Sequence, residues 1–500
     1  MPEIHGNLPL QNLGVLPGLA QFFSAHRCQA YLVGGCVRDA VLGLTPKDLD
    51  VAVPADPHVL GRDLAQVLGA AFVALSPEHG VARIVVPASV SAPRLTIDLS
   101  NFSGSIEADL ARRDFTINAL ALPRSHWLSE DWRDGLLDPF QGRQDLARKQ
   151  VKAVARDIYQ QDPGRLLRTV RVAARLRFKI APETARLAQQ EAPRIAAVSG
   201  ERLRDEFLAI LAGDGAHAQL EILDRLDLLC RIVPELAHTK GVTQPKAHHY
   251  WDVWGHLLHA VAAAEAVTGG HQNSAIYSMV PWTPELQAYF QQEVCDGHQR
   301  RTVLKLAALF HDIAKPQTKG PDATGRIRFL GHSELGAEMA SRRLAALRVS
   351  SRGISMVRAM IEEHLRPFQM RQGAEMPTPR AVYRYFRDLG DVAVDTLYLS
   401  MADYLAAKGP ELSLERWAGH ARMIGHILQG SAPVPGPAQP QRLVDGGQLM
   451  RYLNLSPGPQ VGRLLELIAE AQAVGEISTQ AEALALAARA LRESSTQSQE

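Results

Sequence analysis

The chain has few cysteines, almost no net charge and no long hydrophobic run, and each absence narrows what it can be. Its four cysteines, Cys28, Cys36, Cys230 and Cys295, are scattered over 500 residues without CxxC spacing. That pattern gives neither a zinc site nor a disulfide framework. No run of about 18 apolar residues occurs, so no membrane-spanning helix is expected. The first 30 residues lack a basic start followed by an apolar core, so no secretory leader is read there and a cytoplasmic location is the default. A net charge of +1 carries no global nucleic-acid signal. No internal repeat is visible. What is present is an ordinary globular composition, 46% hydrophobic and 21% charged, in a chain too long for one core. Three or four domains are expected.

The most informative stretch is 32–53, Leu-Val-Gly-Gly-Cys-Val-Arg-Asp through Asp48-Leu49-Asp50-Val51-Ala52-Val53. The apolar run after Asp48-Leu49-Asp50 reads as a strand, whose residues i and i+2 share a face. Asp48 and Asp50 then aim side by side, a poor apolar core but a good seat for Mg²⁺, which takes hard oxygen ligands. Gly34 and Gly35 precede an expected helix at 36–43, where unhindered N–H groups at a helix start receive a triphosphate. Arg38 is expected to add a charge-assisted bond to the same group. A Gly-Gly or a DxD alone is weak, being common in turns and caps; the combination and order are stronger.

Further blocks follow in order: Asp109-Leu-Ala-Arg112-Arg113-Asp114-Phe-Thr-Ile-Asn118, then Asp138-Pro-Phe-Gln-Gly-Arg143, Asp162-Pro-Gly-Arg165-Leu-Leu-Arg168, and Val198-Ser-Gly-Glu-Arg202-Leu-Arg-Asp-Glu206. Here the chain resembles the class II tRNA nucleotidyltransferase and poly(A) polymerase family, over about its first 210 residues. The resemblance implies attack of an RNA 3′-hydroxyl on the α-phosphate of CTP or ATP, with Mg²⁺ held by Asp48 and Asp50. Asp98, in Leu95-Thr-Ile-Asp-Leu99, is the candidate third carboxylate, although an edge-strand Asp facing water is the plain alternative. Arg112, Arg113 and Asp114, with Asn118, resemble the motif that holds ribose and triphosphate; a helix-start ion pair is the alternative. Asp162 and Arg165, with Arg168, match the base-reading motif. A carboxylate accepting from an exocyclic amine and a guanidinium donating beside it would read the edge of cytosine or adenine. By itself Asp162-Pro163 looks more like a helix cap. Gln161 stands where relatives often carry Glu. Between the strand ending near Leu99 and Arg112, only Ser100 to Ala111 intervene. Relatives that add the whole CCA end often carry a longer loop there, and its absence resembles enzymes restricted to CC.

A second constellation lies downstream. His256 falls on an expected helix over 252–264, and His311-Asp312 ends the apolar helix 303–310 before Ile-Ala-Lys315-Pro316. His332, His364 and Asp403 come later. Each histidine alone is more often a satisfied, partly buried residue than a ligand, but together the six resemble the HD metal-dependent phosphohydrolase superfamily. His256, His311, Asp312 and Asp403 match its core quartet, and His332 and His364 the extra histidines for a second ion. The resemblance implies a divalent transition metal and cleavage of phosphate esters such as 2′,3′-cyclic ends or 2′-phosphates. Lys315 is expected to bind substrate phosphate. His259 is a substitute ligand candidate, and His248 and His249 read as loop residues.

The expected architecture is an α/β nucleotidyltransferase head, a mixed sheet with helices, on a mainly α-helical body that includes an HD domain. The head covers 1–145 and a helical neck for nucleobase and RNA covers 146–240. The HD-like domain covers 241–430. A proline-rich linker, Ser431 to Gln441, leads to a C-terminal helical domain at 442–492 that either contacts tRNA or simply packs, followed by a polar tail from Ser494 expected to lack structure. Residues 143–179 hold eleven Lys or Arg against three Asp, enough to attract a phosphate backbone or merely a solvated helix face. The partners implied are the tRNA 3′ end, CTP and ATP, with no membrane; oligomeric state is not legible. The function the resemblance implies is addition of C and/or A to the tRNA 3′ end, CCA addition and repair, with a phosphohydrolase activity beside it; CC-only addition, poly(A) polymerase, and an HD phosphohydrolase with a nucleotide-sensing head are the alternatives.

Overall fold

A computed structural model describes residues 13–76, 80–88, 94–269, 274–370, 375–430 and 442–497. The proline-rich stretch 431–441 lies outside the described residues. The chain divides into two compact units, one of residues 1–210 and 222–232, the other of 211–221 and 233–500.

The first unit is built on a six-stranded sheet. Its strands are β1 (Tyr31–Val33), β2 (Asp48–Val53), β3 (Ala71–Ser76), β4 (Val81–Val86), β5 (Leu95–Asn101) and β6 (Ala121–Pro123), in the order β3-β4-β5-β2-β1-β6. Only β2 and β5 run parallel, and the other neighbours are antiparallel. The alternation expected of β2 is present: Leu49, Val51 and Val53 are buried while Asp48 and Asp50 share the other face, with Asp48 exposed. Parallel pairing sets Asp50 opposite Asp98, and antiparallel pairing sets Arg83 opposite the same Asp98. The Gly35–Val41 helix begins directly after β1, within a residue of the expected start. Beyond the head, the body of this unit is helical apart from a short parallel pair, Gln150–Val151 with Lys179–Ile180, which the helical reading of 150–240 missed. Two-residue strands carry too little periodicity to be seen.

The second unit is helical. Its helices include Val253–Val267, Arg300–Phe310, His332–Ala346, Ser351–Glu362 and Ala393–Lys408. Asp252 caps the first of these, its side chain accepting from Gly255 N–H, which explains where that helix starts. Two small hairpins interrupt the helices, one pairing Lys319–Pro321 with Ile327–Phe329. The last helices, Gly446–Leu453, Pro459–Ala473 and Gln480–Gln497, bury their own cluster around Leu449, Val461, Leu464, Ile468 and Ala483. The polar tail expected to lack structure is helical as far as Gln497. Alanine, leucine and arginine at 487–492 are strong helix formers. Among the described residues, no helix is long and apolar enough to cross a membrane.

Candidate nucleotidyl-transfer and metal sites

Gly34 has φ +75°, and a Cβ built there would meet Arg113 Nη1 at 2.8 Å and Asp50 Oδ2 at 3.2 Å. Three of the expected residues therefore crowd one point, and only glycine fits between them. Burial pushes the Asp50 carboxyl above its ordinary range, Arg113 opposes the rise, and Asp98 and Asp48 add to it. A carboxylate destabilised by its neighbours' charge gains from a cation. Asp48 and Asp50 thus suit a hard divalent ion such as Mg²⁺. Asp98 stands beside them, but its two oxygens accept from Arg83 Nε and Nη2 at 2.8 and 2.7 Å. Arg83 was not foreseen; its one signal is a lone charge inside an apolar strand.

Arg38 departs from expectation. It is 5% exposed, holds Asp39 through Nε and Nη2, and donates from Nη1 to Asn118 Oδ1 at 2.7 Å. All three of its nitrogens are engaged inside the protein, so it braces the site. Asn118 in turn donates to Asp114 Oδ1 at 2.9 Å, and Arg168 Nε lies 3.6 Å from Asp114 Oδ2. This chain of contacts joins the Gly35–Val41 helix to the Arg165–Leu176 helix. Arg112, largely exposed, lies 3.7 Å from Asp109 Oδ1, and Arg113 pairs with the other oxygen of the same carboxylate at 3.1 Å.

Asp162 and Arg165 lie 4.0 Å apart. Asp162 does not cap the following helix; Gly164 occupies that place, and Asp162 accepts its N–H at 3.0 Å. Burial pushes the Asp162 carboxyl up, but hydrogen bonding and charge from Arg202, with Gly164 N–H and Arg165, hold it below its ordinary range. Arg202 Nη2 donates to both Asp162 oxygens, at 2.9 and 2.8 Å. Arg165 donates to the Arg112 carbonyl at 2.7 Å. Sequence reasoning noted the block around Arg202 without giving that residue a role.

In the second unit, His256, His311, Asp312 and Asp403 bring ligand atoms within 4.8 Å of one another, and Asp312, His332 and His364 form a second such group. Asp312 belongs to both. Its Oδ2 lies 3.1 Å from His256 Nε2 and 3.3 Å from His311 Nε2, while Oδ1 lies 3.3 Å from His332 Nε2 and 3.9 Å from His364 Nε2. The Nδ1 atoms of His311, His332 and His364 each meet the backbone oxygen three residues back, Ala308, Phe329 and Ile361, at 2.9, 2.6 and 2.7 Å. Such a bond fixes the tautomer that offers Nε2 to a metal. Asp312 Oδ1 and His332 Nε2 are buried without hydrogen-bond partners, a costly state that an ion between them would relieve. The donor set fits a divalent transition metal.

Burial and repulsion from His311 bring His364 down to about 4. Burial also lowers His311, but Asp312 and Asp403 outweigh it and raise it to about 10. Lys315 differs from expectation: it is buried, its ammonium lies 2.5 Å from Asp312 Oδ2, and it donates to Gln244 Oε1 at 2.7 Å. It balances the carboxylate's charge. His249, read as a loop residue, is half-buried with its ring edge-on to His256 at 5.1 Å. His259 turns elsewhere, stacking on Trp251 at 4.0 Å and meeting Gly255 O through Nδ1.

The chain matches the poly A polymerase head domain over residues 30–152, a probable RNA and SrmB-binding site of polymerase A over 177–239, and an HD domain over 285–408. An A-adding tRNA nucleotidyltransferase of Deinococcus radiodurans is 33% identical over 471 residues, covering 92% of this chain and 95% of that one. The chain belongs to the class II tRNA nucleotidyltransferase and poly(A) polymerase family. A CC-adding tRNA nucleotidyltransferase of Thermus thermophilus is also 33% identical, over 91% of this chain and 92% of its own. The CCA-adding enzyme of Thermotoga maritima, solved in complex with tRNA, shares the fold with a TM-score of 0.60 at 19% identity, covering 96% of each chain. As a nucleotidyltransferase family member, the chain is an enzyme, and its α/β head and helical body with an HD domain are those expected. His256 falls outside the residues matched by the HD domain, yet the fold brings it to the other ligands.

Proposed function

We propose that the protein adds cytidines to the tRNA 3′ end and stops at CC. The observation carrying this is the short connection between β5 and the Ile106–Ala111 helix, only residues 102–105. It tethers Arg112 closely to the sheet, and the Arg112 carbonyl holds Arg165. A base reader so restrained has little freedom to re-aim from a pyrimidine to a purine. Among relatives matching over most of the chain, three are named CC-adding, in Thermus, Geobacter and Synechocystis, and one, in Deinococcus, is named A-adding.

In the proposed reaction the RNA 3′-oxygen forms a bond to the α-phosphorus, the bond to the bridging oxygen breaks, and pyrophosphate leaves with that electron pair while the hydroxyl proton passes to solvent. Asp48 and Asp50 would hold Mg²⁺, which when bound favours the ionised hydroxyl and offsets charge on the leaving group. Gly34 gives the triphosphate close backbone approach, and Arg113 faces its charge. Asp162 and Arg165 read the base, with Arg202 holding Asp162 ionised and oriented. The test is incorporation of labelled CTP and ATP into tRNA transcripts ending at the discriminator base, at C and at CC. CTP should enter the first two and ATP none; ATP addition to CC ends would overturn the assignment.

A second activity is favoured by the shared Asp312 and the fixed histidine tautomers. We propose that the HD cluster hydrolyses phosphate esters: water oxygen bonds to phosphorus, the ester bond breaks, and the sugar oxygen leaves with the pair and takes a proton. His256, His311, Asp312 and Asp403 would hold the first ion and Asp312, His332 and His364 a second; ions bound there would lower the pKa of a water and so make it a nucleophile near neutral pH. Release of phosphate from adenosine 2′-monophosphate, or opening of 2′,3′-cyclic AMP, with Mn²⁺, Co²⁺, Ni²⁺ or Mg²⁺ tests it.

A further inference from the structure

Beside the HD cluster lies a recess of about 160 Å³ lined by residues 246–250 of one loop and by Tyr404, Ala407, Lys408, Glu411, Ser413 and Arg416. Its position ties it to the metal ligands. His249 in its wall packs edge-on against His256, and Tyr404 directly follows Asp403. Its shape is held: Tyr250 N–H donates to Ala407 O at 2.8 Å, and Lys408 Nζ donates to His248 O at 3.2 Å. Tyr404 is stacked on His420 at 4.8 Å, and His420 on Phe368 at 4.7 Å, so one wall is a packed aromatic pile.

Charge and size specify the occupant. Lys246, Lys408 and Arg416 face one carboxylate, Glu411, and exposed Lys246 and Arg416 have no ion-pair partner among the described residues. His249 Nδ1 is buried without a hydrogen-bond partner. Cations and an orphaned ring nitrogen around a small polar space suit a phosphate with its sugar hydroxyls. A water occupies about 30 Å³ of liquid, so this volume corresponds to roughly five waters, room for a phosphate group with the edge of its sugar. We infer that this recess seats the phosphorylated ribose on which the HD centre acts, with Lys246 and Arg416 gripping the phosphate and Tyr404 walling the sugar.

The inference rests on the HD cluster being a phosphohydrolase centre, and the experiment keeps the two separable. Equilibrium binding of adenosine 2′-monophosphate and of a CpA dinucleotide ending in a 2′,3′-cyclic phosphate is measured by calorimetry on the full chain with chelator present. Lys246→Gln with Arg416→Gln should weaken binding of one probe or both at least tenfold, whereas Lys319→Gln, in the neighbouring recess, should change it less than twofold. Tighter binding of the dinucleotide identifies an RNA end as the source, and tighter binding of the mononucleotide a free nucleotide; either supports the site. No binding by the unmodified protein, or equal losses in all variants, overturns it. With metal added, the double variant should raise KM for hydrolysis at least tenfold, whereas Lys319→Gln should leave KM within about twofold. If no metal gives hydrolysis while metal-free binding still depends on Lys246 and Arg416, the recess stands and the phosphohydrolase assignment falls.

Discussion

A methyl group at Gly34 would sit 2.8 Å from Arg113 Nη1 on a backbone already at φ +75°. Gly34→Ala is therefore expected to cost about 1–2 kcal/mol of stability, and to lower CTP incorporation at least tenfold by displacing Arg113. Denaturant melts and single-turnover incorporation measure the two effects. At Asp98 the expectation is milder. Its oxygens are already committed to Arg83, so Asp98→Ala should lower incorporation less than about tenfold, against about a thousandfold or more for Asp48→Ala or Asp50→Ala. Equal losses at all three positions would make Asp98 a full partner in holding the ion. Residue identity was legible where spacing alone constrained it, as in Asp48-Leu49-Asp50. It was not legible for Arg38 and Lys315, because a long cation turns toward whichever carboxylate or amide the fold supplies, and Asn118 and Gln244 become their neighbours only on folding.

The Ala393–Lys408 helix carries Asp395 near its start and Asp403 two turns on, so whatever anchors the first residue helps set the second. Asp395 is fully buried and meets Arg300 Nη1 at 2.8 Å, which ties this helix to the Arg300–Phe310 helix that presents His311. Burial outweighs the Arg300 charge and the Tyr289 hydroxyl and raises Asp395 to about 6. Since its folded value lies above its unfolded one, the native state binds this proton more tightly. The stabilisation is complete below about pH 4 and is lost as pH rises through 6, a swing of about 3 kcal/mol. Asp395→Asn should remove that component, so the stability difference between variant and parent should change across pH 4 to 7 in chemical denaturation. A constant difference would mean that Asp395 stays ionised throughout. Among elements, β2 and the Val253–Val267 helix were readable because alternation and a capping aspartate are local signals. The Lys319–Pro321 hairpin and the 150–151 with 179–180 pairing were not, since such short strands are defined by partners and not by their own pattern.

Over the whole molecule, the nucleotidyl-transfer residues fall in one compact unit and the HD ligands in the other. Alanine at both Asp48 and Asp50 should abolish incorporation and leave phosphate release from adenosine 2′-monophosphate intact, and alanine at both His311 and Asp312 should do the reverse. Loss of both activities in either variant would show that they are not independent. The basic segment 143–179 predicts that tRNA affinity falls at least about tenfold between roughly 50 and 200 mM salt. The KM for CTP should change far less, and filter binding beside initial rates compares them. The sequence by itself determined the family and the reaction class, because glycine, paired carboxylates and an adjacent His-Asp have few chemical uses in that order. Only the tertiary structure decided which cation meets which carboxylate: Arg83 on Asp98 and Arg202 on Asp162. Ion pairs between distant segments leave no period in a sequence; they follow from strand register and helix packing, which are set by burial over the whole chain.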